Sequence, residues 1–267
     1  MKNVFLKKIT FFFSSVFIFL LHLPFVFAKS KLSLMPEDPK QKIQHVLPDT
    51  DLMQPPMQTI QKAGIYDSLK LGSMGLAQHV FDYAMRGFNF MQETGTITNN
   101  NIISIIDFTK PSFQKRLFII DLKNYKVLFN TYVAHGMNSG AAFASHFSNV
   151  PESNQSSLGF YVTSATYEGK HGYSLHLEGV EKGINDNANR RDIVMHAADY
   201  VSESFIRSRG YIGRSLGCPA IPEPLHRPVI NKIKNGTCLF IYGADKKYIS
   251  HSKILNNNYA SALAMNN

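Results

Sequence analysis

Only two cysteines, Cys218 and Cys238, occur in 267 residues, and tryptophan is absent. Two thiols are too few for a metal site of several thiolates or for a disulfide framework, so neither holds this protein together. Charged residues make up 18% of the chain against 44% apolar residues, with 12 prolines and 17 glycines. That balance excludes disorder and collagen-like sequence and fits one globular domain with flanking segments. No internal repeat and no second region of distinct composition is present. Acidic residues are the scarcer charge, 19 against 28 Lys+Arg, and the resulting +9 points to an anionic partner.

The first 28 residues need separate treatment. Residues 1–8 carry Lys2, Lys7 and Lys8, and residues 9–28 are almost wholly apolar, ending Val26-Phe27-Ala28. This pattern predicts a secretory signal over 1–28 with cleavage after Ala28. A run of about 20 residues is also long enough to span a bilayer as an uncleaved anchor; His22, Pro24 and the small residues near the end favour cleavage. Without the three lysines the balance is 25 against 19, or +6. Residues 29–64 are polar, with Pro36, Pro39, Pro48, Pro55 and Pro56, and read as a loosely packed lead-in.

A domain is expected over 65–244. Asp67 or Ser68 can cap a helix over about 67–94, whose apolar positions Leu76, Val80, Tyr83, Ala84, Phe88 and Met91 recur at helical spacing and which Gly95 can end. The period then changes to short β-branched or aromatic runs at 102–108, 116–122, 126–133, 159–166, 192–196 and 237–242, with a hairpin turn at Lys123-Asn124-Tyr125. One short helix fits 224–234, with Pro228 awkward inside it. The class is mainly β with a helix before it, and 245–267, rich in Asn, Ser and Ala, reads as an accessory or frayed end.

Chemistry concentrates in two segments. Ile193-Val194-Met195-His196-Ala197-Ala198 delivers a histidine at a strand end, and Gly213-Arg214-Ser215-Leu216-Gly217-Cys218-Pro219-Ala220 delivers a cysteine on a glycine-flanked turn. A cysteine nucleophile needs a nearby base to form its thiolate, and histidine can take that proton and remain as a stabilising imidazolium. Gly217 permits a sharp bend that could aim the amides of Gly217 and Cys218 at a carbonyl oxygen becoming negative. Two bland readings compete: a Cys218–Cys238 disulfide in an exported protein, and His196 as an ordinary core histidine.

Over 66–243 the sequence resembles the murein L,D-transpeptidase catalytic domains of the YkuD-like superfamily, in its exported branch with a helical lead-in. The resemblance is carried in order by Tyr66-Asp67-Ser68-Leu69, Ser104-Ile105-Ile106-Asp107-Phe108, Val133-Ala134-His135-Gly136-Met137-Asn138-Ser139-Gly140, Phe147-Ser148-Asn149-Val150, Gly169-Lys170-His171-Gly172-Tyr173-Ser174-Leu175, Asn185-Asp186-Asn187-Ala188 and Arg214-Ser215-Leu216-Gly217-Cys218-Pro219-Ala220. It implies a β-sandwich or barrel-like catalytic domain with an N-terminal helix and a short helix after the catalytic cysteine. Cys218 would be the nucleophile, His196 its base, and the backbone carbonyl of Ala197 the group that orients the imidazole. The implied reaction is attack on the third residue of a peptidoglycan tetrapeptide, release of the terminal D-alanine, and resolution of the thioester by an amine of a second stem peptide. Water in place of that amine would make the site an L,D-carboxypeptidase.

Two positions depart from the wider family: Leu216 stands where a histidine is usual and Ala220 where an arginine is usual. Arg214 could supply the missing positive charge. With it, Ser215, His171 and Arg191 are the candidates for substrate contact. No cofactor is expected. His135, His171, His176 and His196 could hold zinc in principle, but no His-Glu-x-x-His pattern accompanies them, so no metal site is assigned. The expected partner is the peptidoglycan stem peptide, in the periplasm or cell wall. Nucleic acid is not expected, because the basic residues are scattered and no recognition motif is present. No membrane partner is expected after signal cleavage, and the oligomeric state is open. A non-catalytic wall-binding module is the rival outside enzymology.

Overall fold

The structure, a computed structural model, describes residues 64–256. The predicted signal, nearly all of the 29–64 lead-in and the end of the tail lie outside the described residues.

Eight strands form one mixed sheet: β1 (Ile102–Asp107), β2 (Leu117–Asp121), β3 (Lys126–Thr131), β4 (Gly159–Gly169), β5 (Gly172–Gly179), β6 (Val194–Ala198), β7 (Ala220–Pro222) and β8 (Cys238–Tyr242), in the spatial order β3-β2-β1-β8-β4-β5-β6-β7. β1 and β8 pair in parallel near the middle of the sheet, and every residue of both is buried. Strands covered on both faces gain by being apolar throughout, which is why Ile-Ile-Ser-Ile-Ile and Cys-Leu-Phe-Ile-Tyr show no alternation. The chain just after β3 turns back to the opposite edge. Ala134 N–H donates to Ala220 O at 2.8 Å, Ser215 N–H donates to His135 O at 3.0 Å, and Gly136 bridges Ser215. These bonds join the two edges, so the sheet curls into a nearly closed barrel. Pro222, which lacks an N–H, ends β7 at that edge.

Helix α1 (Gln78–Glu93) lays Val80, Phe81, Ala84, Met85, Phe88 and Met91 on the core. It starts later than the expected residue 67. Lys70 has φ of 51° and Gly75 of 84°, both left-handed, and the chain between 69 and 75 makes turns instead. Neither Asp67 nor Ser68 caps it; Ala77 is the N-cap, with no side-chain bond. Helix α2 (Glu203–Arg209) was not expected, nor were β5 and β7. Helix α3 (Glu223–Ile233) takes the place of the expected 224–234 helix and runs through Pro228. The described part of the tail is helical: Asp245 caps helix α4 (Lys246–His251) by accepting from Tyr248 N–H, and α5 (Lys253–Asn256) follows. Tyr248, Ile254 and Leu255 are buried in the main core, so the domain extends at least to residue 256.

Candidate active site

The site lies where the two sheet edges meet. His196 is on β6, between β5 and β7, and is 3% exposed. Its register partner on β7 is Ala220, two residues beyond Cys218. The approach to β7 therefore runs beside β6, and the fold delivers cysteine and histidine on neighbouring segments. His196 Nδ1 lies 2.8 Å from the Ala197 carbonyl oxygen. A carbonyl only accepts, so Nδ1 carries the proton and Nε2 is left as the free base. Burial lowers the pKa of His196; the Ala197 carbonyl opposes that shift and His171 adds to it. The imidazole is neutral at neutral pH, as a base must be.

Cys218 and Cys238 are both free thiols, so the disulfide reading fails. Cys238 is buried in β8 with its Sγ 3.7 Å from Met91 Sδ, a packing contact beneath α1. Cys218 is half-buried, and its thiol hydrogen-bonds the Asp192 carbonyl at 3.5 Å. Burial pushes the Cys218 pKa up, while the Val194 N–H and the Arg191 guanidinium hold it back and Asp192 raises it. A thiol proton passing to His196 would first have to leave the Asp192 carbonyl.

The turn before Cys218 is clamped from within. Ser215 Oγ donates to Cys218 O at 2.6 Å and accepts from Gly217 N–H at 3.1 Å. Ser156 Oγ donates to Gly217 O at 3.1 Å and accepts from Gly136 N–H at 3.1 Å. Gly217 has φ of 125°, and a Cβ there would lie 2.9 Å from Gln155 O and 3.2 Å from Arg191 Nη2. Both the conformation and the space require glycine. Two expected roles change accordingly. The Gly217 amide is taken by Ser215, leaving the Cys218 amide as the candidate for an oxyanion; and Ser215, 5% exposed, braces the turn and has no spare proton for a substrate.

The other expected substrate contacts separate. His171, at the exposed tip of the β4–β5 hairpin, stacks on His196 with ring centroids 4.4 Å apart at 26°. Arg214 is exposed at the rim, with Nη1 donating to Met137 O at 3.2 Å and Gly140 O at 3.1 Å. Leu216 beside it is 66% exposed. Arg191 instead turns inward. Its Nη1 donates to Ser148 O at 2.7 Å and Ser157 Oγ at 2.5 Å, and its Nη2 to Gln155 O at 2.5 Å and Ser153 Oγ at 3.3 Å. A guanidinium saturated by protein oxygens has little left for a stem-peptide carboxylate.

The remaining histidines are dispersed. His135 Nδ1 accepts from Arg116 Nη2 at 2.7 Å, and His176 stacks on Tyr167 at 4.5 Å. Among the described residues no group of three His, Cys, Asp or Glu gathers at ligand distance. Sequence reasoning missed Ser156, the Asp192 carbonyl and the loop pins. Asn187 N–H and Nδ2 donate to Asn149 Oδ1 and O, and Asn149 Nδ2 donates to Asp186 Oδ1 at 2.7 Å, which ties two of the family segments together beneath Arg191. Backbone acceptors leave no signal in residue type.

No curated protein matches the chain in sequence. Solved structures similar to it include an L,D-transpeptidase from Mycobacterium smegmatis (11% identity, 54% of this chain and 59% of that one, TM-score 0.33), L,D-transpeptidase 1 of Mycobacterium tuberculosis (10%, 53% and 62%, TM-score 0.31) and the helical cell shape determining protein Pgp2 of Campylobacter jejuni (9%, 54% and 48%, TM-score 0.37). The chain spans less than two thirds of the length of each. TM-scores this low leave the assignment to the family model for the L,D-transpeptidase catalytic domain, which matches residues 73–242 and takes in both His196 and Cys218. By that match, over more than half its length, the chain belongs to the L,D-transpeptidase catalytic domain family.

Proposed function

We propose that this chain is an exported cysteine acyltransferase that acts on peptidoglycan stem peptides in the periplasm or cell wall. The observation that carries the reading is the Nδ1–H bond from His196 to the Ala197 carbonyl, which frees Nε2 on the strand next to Cys218. The Cys218 proton passes to His196 Nε2, and the thiolate adds to the carbonyl carbon of the third stem residue. The oxygen that becomes negative faces the Cys218 amide. The carbon–nitrogen bond to the terminal D-alanine then breaks, and His196 returns the proton to the leaving amine. A thioester remains. The amine of a second stem peptide attacks it, gives its proton to His196, and expels the thiolate, which is reprotonated.

Arg214 at the rim is the candidate for a substrate carboxylate, through the donors not tied to Met137 and Gly140. No cofactor takes part in these steps. The apolar run over residues 9–28 supports export. The reading is tested by incubating the chain from residue 29 with purified muropeptides and following products by mass spectrometry. Dimers joined between third residues support transfer, trimmed monomers support L,D-carboxypeptidase action, and products that persist in Cys218→Ala sink the assignment.

A further inference from the structure

Arg191 is half-buried and carries a full charge, yet its four hydrogen-bond acceptors, Ser148 O, Ser157 Oγ, Gln155 O and Ser153 Oγ, are all neutral. A cation withdrawn from water is costly unless an anion compensates it, and dipoles alone do this incompletely. The guanidinium is packed directly under the catalytic turn: Nη2 lies 3.2 Å from where a Gly217 side chain would begin, and the Cys218 thiol rests on the carbonyl of Asp192, the next residue along the chain. The charge is also fixed in place. Four bonds into the 148–157 loop hold the fork, and that loop is pinned in turn by the Asn149 to Asn187 pair.

We propose that Arg191 is the counter-cation of the Cys218 thiolate, a positioning residue that acts on the reaction through the sulfur and does not bind the stem peptide. When the thiol proton moves to His196 Nε2, the thiol's hydrogen bond to the Asp192 carbonyl is given up, and the negative sulfur forms beside a guanidinium that stays protonated. The ordering is physical. Burial disfavours the thiolate most, the Val194 N–H and then the Arg191 guanidinium favour it, and the Asp192 carboxylate opposes it. Tyr200 also faces Cys218, and Tyr161 faces Arg191 from below with its pKa pushed above the ordinary tyrosine range by burial. Neither is an anion at neutral pH, so the thiolate is the partner Arg191 lacks.

The inference rests on Cys218 being the nucleophile, and its test avoids substrate. On the chain from residue 29, the rate of Cys218 alkylation by iodoacetamide is followed against pH by intact-mass spectrometry. Arg191→Gln is expected to raise the midpoint of the profile by about one unit, an approximately tenfold slower alkylation at neutral pH, whereas Arg191→Lys keeps most of the wild-type rate. Arg190→Gln, an exposed neighbour, leaves the profile unchanged. In case Arg191→Gln does not fold, Ser153→Asp keeps the arginine and offers it a competing carboxylate from the position that already bonds Nη2; it too raises the midpoint. With muropeptides, kcat falls while KM holds. An unchanged midpoint in the folded variants overturns the proposal, as does a KM that rises with the midpoint fixed, which would return Arg191 to substrate binding. A profile that responds to Arg191 in a protein forming no muropeptide product would instead defeat the proposed reaction and leave this inference standing.

Discussion

Arg116 and Arg191 are built alike and do different work. Both guanidiniums are withdrawn from water, and both donate to neutral acceptors of the fold. Arg116 is fully buried, with Nε and Nη2 on Val133 O at 3.0 and 2.8 Å, Nη1 on Lys110 O and Nη2 on His135 Nδ1. The buried Asp107 carboxylate supports its charge through space without a hydrogen bond. Burial still lowers the Arg116 pKa to about 9, which leaves it charged at neutral pH. Its acidic neighbour is a fixed residue of β1, so the cluster is structure. The anion of Arg191 is a thiolate that exists only after Cys218 gives up its proton, so that cluster is chemistry. Where the compensating charge comes and goes, a buried cation becomes a device.

The first way to break the comparison is to remove the base on one side of it. His196→Asn should reduce the formation of muropeptide products by about 10²- to 10⁴-fold, because no other group on β6 can take the thiol proton. Its melting temperature should stay near that of the parent, and a comparable loss of fold would remove the distinction between the two clusters. The acid limb of the pH profile sharpens this further. With its pKa lowered by burial, His196 stays a base to lower pH than an ordinary histidine, so the acid limb of product formation should lie below pH 6.5.

The second break is on the structural side. Arg116→Met leaves two donors' worth of bonding lost at Val133 O and strands His135 and Asp107 in the core, and is expected to cost about 3–5 kcal/mol of stability in urea unfolding. Arg116→Lys should recover little, since one ammonium cannot reproduce a fork that bonds three residues. If Arg116→Met were neutral, the buried cluster would not be holding the chain after β3 in place.

The fold was readable where burial dictates residue type. The 102–108 and 237–242 segments are mostly apolar with no alternation because β1 and β8 are covered on both faces, and the 123–125 turn shows in Asn124 and in Tyr125 with φ of 49°. What failed to show is structure created by partners. β7 is three residues long and exists through pairing with β6 and the 134–136 segment. Helix α2 buries none of its residues and is set by Ser202 accepting from Phe205 N–H, so it carries no apolar stripe. In the site, the placement of His196 at β6 and of Cys218 on the turn before β7 was legible, because a strand run and a glycine-flanked turn show in residue type. Ser215, Gly217 and Arg191 were placed by type alone, and their work depends on where each hydrogen bond goes: into the turn, into Ser215 and into the 148–157 loop.

A smaller effect separates the two clusters by pH. Burial, with Arg116 beside it, lowers the pKa of His135 to about 3, against an ordinary value of 6.5. The folded protein therefore keeps His135 neutral over a range in which the unfolded chain binds a proton. Stability from this group is complete above pH 6.5 and is lost as pH falls from 6.5 towards 3, by at most about 1.4 kcal/mol per pH unit. Denaturant titrations at several pH values should show that slope, made shallower by His135→Asn. Arg191→Gln should leave it unchanged, because Arg191 does not face His135.

The smallest expected effect lies at the surface, where arginines do have carboxylate partners. Two such ion pairs are Arg207 with Glu203 at 3.9 Å and Arg227 with Glu168 at 2.8 Å. The second has good geometry, and Arg227 also lies 4.8 Å over the Tyr173 ring. Both of its partners are more than half exposed, however, and water and salt screen the attraction while two long side chains lose freedom to make it. Arg227→Ala should shift unfolding by less than about 1 kcal/mol, and less again in high salt. A larger loss would mean that proximity to a carboxylate measures the worth of an arginine here. A small one means that burial does, as the withdrawn guanidiniums of Arg116 and Arg191 imply.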